Sequence, residues 1–307
     1  MAAIEIAPAV PYSLERTVGA FARFPDESVD HAHPEGFRRL FRDSGGAALI
    51  QASQRTDEAF DTPVSLSTQA VVDHPDIDEF NQSIRRMLAL DEPIDELYAR
   101  MRPIARLHFL AQQLRGLRRT LDPTPFEGLV SSILAQLISI RGAAVARSRL
   151  VRAFGRQLTF DNAEYWTFPD AGAVQDATID QLCSIGMTQT KARAIQTVAH
   201  LSATGELSLE QLQRATDNEV VRHLVGLPGI GPWTAEWFLV NVLGRMSIVP
   251  AGDLGIRRSS GNWLLDGSMP SPDDVRRVYE PFGDLRAYVA YYVLSAERHK
   301  LVPPVAR

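Results

Sequence analysis

Five residues, Leu227-Pro228-Gly229-Ile230-Gly231, constrain this chain more than any other feature. Upstream of them Val220, Val221, Leu224 and Val225 recur at helical spacing behind an N-cap candidate at Thr216 or Asp217. Downstream, Pro232 suits the first position of a second helix, running through Trp233 and Phe238 to a stop at Gly244. A connection this short and glycine-rich predicts two helices folded into a hairpin over residues 220–244. Such a turn aims the free backbone N–H groups of the second helix outward, making an anion site that needs no basic side chain. Glycine serves it twice, by reaching positive φ and by letting the anion approach the backbone. A nucleic-acid phosphate is the anion expected there.

Beyond the second helix an apolar run, Met246 to Val249, ends in Pro250-Ala251-Gly252-Asp253, and a further helix starts at once. The whole stretch resembles the helix-hairpin-helix DNA glycosylases, whose shared pattern is L-P-G-[IV]-G-x-x-T-A with a proline and an aspartate about twenty residues on. Leu227, Pro228, Gly229, Ile230, Gly231, Thr234, Ala235, Pro250 and Asp253 all fit. The resemblance extends over roughly residues 120 to 296 and implies that Asp253 is the catalytic acid residue. Family members that also cut the backbone carry a lysine just before the T-A pair, as a Schiff-base nucleophile. This chain has Trp233 there. Its two lysines, Lys191 and Lys300, stand against thirty arginines and lie far from the hairpin in sequence. Tryptophan at that position is similar to the alkylbase branch, the 3-methyladenine DNA glycosylase II type. The implied activity is monofunctional hydrolysis of the N-glycosidic bond of alkylated purines such as 3-methyladenine and 7-methylguanine, in base excision repair.

Each candidate residue also has a plainer reading. Asp253 in isolation is a helix N-cap; after this hairpin it is a carboxylate placed to stabilise positive charge on a deoxyribose and to orient the attacking water. Both can hold. Trp233 and Trp237 stand at i and i+4, so they form a core stripe or wall a base pocket whose electron-rich rings attract a cationic base. Family members add an aromatic from the last helix; here Leu294 holds the matching place with Tyr291 and Tyr292 nearby, and Tyr291 is the third pocket candidate. Phe126, Leu129, Val130, Ile133, Leu134, Leu137 and Ile138 follow the spacing of one buried amphipathic helix. Within it FEGLVSSILAQLIS resembles the family's I-L-x-Q-x-x-S segment, with Gln136 and Ser139 in register. That resemblance makes Leu137 the apolar wedge that fills the gap left by a flipped base; periodicity makes it core. Gly229, Gly231 and Thr234 are the expected phosphate contacts. The resemblance further implies a structural monovalent cation on the carbonyls of Val225, Leu227 and Ile230. The segment LCSIGMTQTKARAIQTVAHL is a loose echo of the hairpin and reads as structural.

The rest of the chain bounds these expectations. Its 307 residues suffice for two or three packed domains. The expected fold class is α+β: a small β-rich N-terminal domain over residues 1–90, then a mostly α-helical glycosylase domain over 91–307. Strands are expected at Thr17–Phe24, Ala47–Ser53 and Val64–Val72, and a helix from Ile77 to about Leu90. Thr178 to Gln181 and Ser208 to Gln211 read as capping boxes, and His31 and His33 as loop residues. One cysteine, Cys183, excludes a disulfide framework and the four-cysteine iron–sulfur cluster. No cofactor is expected to be required. The net charge of −5 is neutral evidence, because Arg141, Arg147, Arg149 and Arg152, and again Arg245, Arg257 and Arg258, cluster as DNA-facing or merely solvated faces. The start MAAIEIAPAVPYSL has no basic region before its apolar run, and no stretch reaches membrane-spanning length. The expectation is a cytoplasmic monomer whose partner is double-stranded DNA with a damaged base. The rivals are a glycosylase for deaminated or oxidised bases and a non-catalytic DNA-binding hairpin module.

Overall fold

The computed structural model describes residues 3–19, 21, 28–33, 36–55 and 60–304. It opens with strand β1 (Ile4–Ile6), helix α1 (Leu14–Val18), strands β2 (Asp30–His33), β3 (Gly36–Arg42), β4 (Gly46–Gln54) and β5 (Val64–Asp73), and helix α2 (Ile77–Met87). The strands form one antiparallel sheet in the order β1-β5-β4-β3-β2. Alternation along β4 sends Ala48, Ile50 and Ala52 to the face that Phe80, Ile84 and Met87 of α2 cover, and Ala47 and Leu49 to the other. Two of the expected strands lie in β4 and β5. The expected strand at Thr17–Phe24 does not form where it can be seen. Thr17 and Val18 end α1, and the Thr17 hydroxyl donates to the Ser13 carbonyl one turn back; residues 20 and 22–24 lie outside the described residues. His31 and His33, expected in a loop, belong to edge strand β2, where the His31 ring packs edge-on against Tyr165.

The remainder is helical with one exception. Helices α3 (Asp95–Met101) and α4 (Ala105–Gln113) are separated at Pro103, and α5 (Pro125–Ala135) and α6 (Ile140–Phe154) follow. The exception is a hairpin of β6 (Gln157–Phe160) and β7 (Ala163–Trp166). Its two-residue turn, Asp161-Asn162, takes positive φ at both positions, as a tight hairpin requires. Leu158, Phe160 and Tyr165 cover Leu40, Ala47 and Leu49, so this insert closes the outer face of the N-terminal sheet. Then come α7 (Ala171–Gln175), α8 (Ile179–Ser184), α9 (Gln189–Ala203), α10 (Leu209–Arg214), α11 (Asp217–Val225), α12 (Pro232–Asn241), α13 (Leu254–Leu264) and α14 (Pro272–Tyr279). A 3-10 stretch, Glu280–Leu285, leads into α15 (Arg286–Arg298). Thr178 and Gln181 form the expected capping box, whereas Ser208 caps α10 through its own hydroxyl alone.

These helices build two apolar cores. One is formed by α5 to α12, the other by α3, α4 and α13 to α15. Helix α12 serves both, with Phe238 and Leu239 in the first and Val240 in the second. The segment after it, through Val249 and Ala251, packs into the second core. Asp253 therefore stands where the two cores meet.

A buried ion network joins the sheet to the helices. Arg39 donates to Asp30 and Glu127 at 2.5 Å each, and Arg147 donates to Glu127 at 2.6 Å and Asp30 at 3.1 Å. Burial pushes the Asp30 carboxyl up, but Arg39 and Arg147 together outweigh it and hold the group below its usual range. Removing one member would strand an uncompensated buried charge, at a cost of about 3–5 kcal/mol. Arg147 is thus an internal strut, contrary to the DNA-facing or solvated face expected of its cluster. Arg245 is another, pairing with Asp217 and donating to the carbonyls of Leu212, Gln213 and Ala215.

Candidate active site

Thr216 starts α11 with a complete capping box, its hydroxyl accepting from the Glu219 N–H while the Glu219 carboxylate accepts from the Thr216 N–H. The turn that follows is closed by Leu227 N–H to Leu224 O and by Ile230 N–H to Leu227 O. Gly229 sits at φ +78°, and a Cβ there would lie 2.7 Å from the Ala194 Cβ of α9. Only glycine fits. Gly231 is extended at the N-cap of α12, and nothing lies within 4 Å of the place its Cβ would take. No side chain caps α12, so the start of the helix lacks a capping partner beside the exposed Gly229. The helix stops as the sequence suggests: Gly244 takes φ +70° and the Arg245 N–H reaches back to Leu239 O.

Thr234 departs from its expected role. It is 1% exposed, and its hydroxyl accepts from Gln136 Nε2 at 3.0 Å. Its side chain is turned inward and ties the start of α12 to the end of α5.

Asp253 is the N-cap of α13, with Oδ1 accepting from the Ile256 N–H at 2.9 Å. Its other oxygen, Oδ2, accepts from the Trp233 indole N–H at 3.3 Å. A Cβ at Gly255 would lie 3.0 Å from Asp253 Oδ1 and 3.2 Å from Leu294 Cδ1, so α15 delivers Leu294 to the edge of the aspartate. Trp233 is half-buried and meets Trp237 edge-on, with ring centroids 6.1 Å apart. The structure therefore gathers Asp253, Trp233, Trp237 and Leu294.

Among the described residues, Tyr291 is linked to this group only through Arg119, which lies between its ring and that of Trp237. The Tyr291 ring is 5% exposed and packs against Tyr288, Arg298 and Arg119. It lines a cavity of about 200 Å³ with Leu117, Ser295 and Arg298, to which neither Asp253 nor Trp233 contributes. Tyr291 meets Arg119 and Arg298, whereas Leu294, one turn further along α15, reaches Gly255 beside the aspartate. Arg119 touches both the Tyr291 and Trp237 rings, at 5.0 and 5.2 Å, and also donates to Asn241. Burial pulls its guanidinium down to about 10. Nothing in the sequence marks this arginine, which lies far from the hairpin motif.

The helical core reading of Leu137 and Ile138 is the clearest correction. Periodicity carries both residues into a helical core stripe, yet α5 ends at Ala135, and Leu137 is 102% exposed at φ +57°. Ile138 is also exposed. Ser139 caps α6, with its hydroxyl accepting from the Gly142 N–H, so the first helix has to end before it. Two long-range contacts hold the break. Gln136 Nε2 donates to Gly229 O and Thr234 Oγ1, both at 3.0 Å, tying α5 to the hairpin. Lys191 Nζ donates to Leu134 O at 2.8 Å and Gln136 O at 2.9 Å. Partial burial lowers that ammonium below its usual range. Sequence reasoning placed Lys191 in a structural echo and missed this contact; the signal was a lone internal lysine in a chain that otherwise uses arginine. Among the described residues no three His, Cys, Asp or Glu side chains gather as a metal site would require. No helix among them is long and apolar enough to cross a membrane.

Comparison with known proteins identifies the fold. A DNA-3-methyladenine glycosylase of Bacillus subtilis is 28% identical over 216 residues, covering 70% of this chain and 71% of that protein. The solved 3-methyladenine DNA glycosylase of Archaeoglobus fulgidus superposes with a TM-score of 0.82 at 26% identity, covering 98% of this chain and all of that one. An 8-oxoguanine glycosylase/lyase of Clostridium acetobutylicum, solved with double-stranded DNA, shares the fold at 16% identity and a TM-score of 0.72 over 98% of this chain and 99% of that one. Residues 130–282, which hold the hairpin, Asp253 and the end of α5, match the family described as the HhH-GPD superfamily of base excision DNA repair proteins. With the matched span, the relatives and the overall fold in agreement, the chain belongs to that superfamily and is a DNA glycosylase.

Proposed function

We propose that this protein is a monofunctional glycosylase that releases alkylated purines, of the 3-methyladenine and 7-methylguanine kind, by hydrolysis. The observation that carries the reading is the contact between Trp233 and Asp253. An indole occupies the place from which a lyase would present its lysine, and its N–H orients the carboxylate instead. Both lysines are remote from that contact in sequence, and Lys191 spends its ammonium on two carbonyls. The names of the Bacillus and Archaeoglobus relatives support the same substrate class.

In the reaction the C1′–N bond breaks with its electron pair going to the base. A base that is already a cation leaves neutral, so no general acid is needed. Positive charge builds on the deoxyribose, where Asp253, oriented by Ile256 and Trp233, stabilises it and guides water to C1′. Water oxygen bonds to C1′ and its proton passes to the carboxylate or to solvent. Trp233 and Trp237 offer an aromatic wall to the cationic base. Leu137 fills the gap in the stack, and the uncapped start of α12 with Gly229 and Gly231 binds a phosphate of the damaged strand. The reading includes a structural monovalent cation on the carbonyls of Val225, Leu227 and Ile230. The Leu227 oxygen, after accepting from Ile230, keeps a second lone pair for it. It further includes a cytoplasmic monomer that requires no cofactor. The test is incubation with duplexes each carrying one defined lesion, followed by hot alkali. Release of free 7-methylguanine base, with strand cleavage after alkali above that of an enzyme-free control, is the expected result. Release confined to deaminated or oxidised bases would overturn the substrate class, and release of nothing would favour a binding module.

A further inference from the structure

The residue that holds the wedge, Lys191, lies outside the hairpin motif, in its loose echo. Leu137 is a non-glycine residue in the left-handed region, a conformation that costs on the order of 1 kcal/mol, and its side chain has no protein neighbour to compensate. Something must fix the backbone before it. The last carbonyls of α5 have no helical partner, and two of them, Leu134 O and Gln136 O, converge on the ammonium of Lys191. Gln136 O belongs to the peptide whose nitrogen is that of Leu137, so this bond sets the plane from which the wedge projects. An ammonium at the negative end of a helix also favours the local dipole.

The same lysine belongs to the first turn of α9, whose N-cap is Thr188. One turn further, Ala194 presses against Gly229 of the hairpin. Helix α9 thus touches the wedge through Lys191 and the phosphate-binding turn through Ala194. Gln136 closes the triangle from the other side through its bonds to Gly229 and Thr234. The echo of the hairpin in sequence is therefore the support on which wedge and turn are held in register.

We infer that Lys191 is a positioning residue for base flipping: it presents Leu137 to duplex DNA and takes no part in bond breaking. The inference rests on the reading of the chain as a glycosylase that flips its base, and its test separates the two. Lys191→Met removes the donors and keeps the aliphatic stem. Compared with wild type, Lys191→Met, Leu137→Ala and the double variant are each bound to a duplex with a tetrahydrofuran abasic site opposite 2-aminopurine, a probe containing no damaged base. The fluorescence change on binding should be smaller in Lys191→Met, smallest in Leu137→Ala and no smaller again in the double variant. Single-turnover excision of 7-methylguanine by Lys191→Met should fall about tenfold on duplex, the effect of losing one charged hydrogen bond. On a single strand bearing the same lesion, where nothing has to be wedged apart, it should not change. Equal losses on duplex and single strand, or losses that add in the double variant, would overturn the positioning role. So would wild-type fluorescence in Lys191→Met. If that variant melts well below wild type, Lys191→Gln, which keeps an amide donor, replaces it in the same comparisons and is held to the same outcomes. A wild-type protein that releases no alkylpurine would overturn the proposed function, while the fluorescence arms would still decide on Lys191.

Discussion

Replacing Asp253 by asparagine separates two jobs that one side chain holds. As the cap of α13 it accepts from Ile256, and asparagine caps about as well as aspartate. The amide oxygen keeps that bond. Its NH2 then faces the Trp233 indole N–H, donor against donor, and forfeits a bond already long at 3.3 Å. The stability cost should therefore stay below about 1 kcal/mol, or a melting shift of roughly 2–4 °C at most. Alanine, which loses the cap as well, should cost about 1–2 kcal/mol. Catalysis follows different arithmetic. A carboxylate about 5 Å from a developing unit charge, at an effective dielectric of about 20, is worth roughly 3 kcal/mol, or about two hundredfold in rate.

Asparagine and alanine should thus lose excision together, by two orders of magnitude or more, while differing in stability. The assay is single-turnover release of 7-methylguanine from a duplex at saturating enzyme, beside thermal unfolding and binding to an abasic-site duplex. Binding should survive in the asparagine variant, because the proposed phosphate contacts come from the hairpin and not from Asp253. An asparagine variant within tenfold of the wild-type rate would remove Asp253 from the mechanism and leave it a cap.

Trp233→Leu should reduce excision of a cationic base about thirtyfold, the worth of a desolvated cation–π contact near 2 kcal/mol, and that of a neutral base less. A loss equal for both bases, with about 3 kcal/mol or more of stability gone, would make Trp233 core alone. Borohydride present during turnover should trap no covalent complex, and product DNA should stay intact until alkali is added; a trapped adduct would restore a lyase. Burial raises the Asp122 carboxyl to about 7, with Glu127 adding to the effect, and burial likewise raises Glu92 to about 7. Both groups hold a proton in the folded state that the unfolded chain has released, so their contribution is complete below about pH 4 and is lost as pH rises through 7. The unfolding free energy should fall between pH 5 and pH 8, and Asp122→Asn with Glu92→Gln should flatten that fall. Asp30, held low by Arg39 and Arg147, works with the opposite sign and weakens the fold only in acid.

What could be read from the sequence was what a window of a few residues determines. The turn between α11 and α12, the stop at Gly244 and the start of α13 at Asp253 depend on glycine, proline and a cap within one or two turns, and all three stand where their residues put them. The turn Asp161-Asn162 was equally local, but expecting helix throughout hid it. The harder misreadings have causes far away in the chain. Thr234 is turned inward by Gln136, ninety-eight residues earlier, and α5 is closed by Lys191, fifty-five residues after Gln136. No periodicity contains those bonds. One local conflict did carry information. The apolar spacing asked the helix to continue through Leu137 and Ile138, while Ser139 asked a new helix to begin at Ile140. Burying Leu137 would have stabilised the chain by about 1.5–3 kcal/mol, and the fold instead leaves it wholly exposed on a strained backbone. A leucine withheld from its own core, beside a turn with an exposed glycine, fits the proposed wedge, for which a DNA base stack would be the apolar interior.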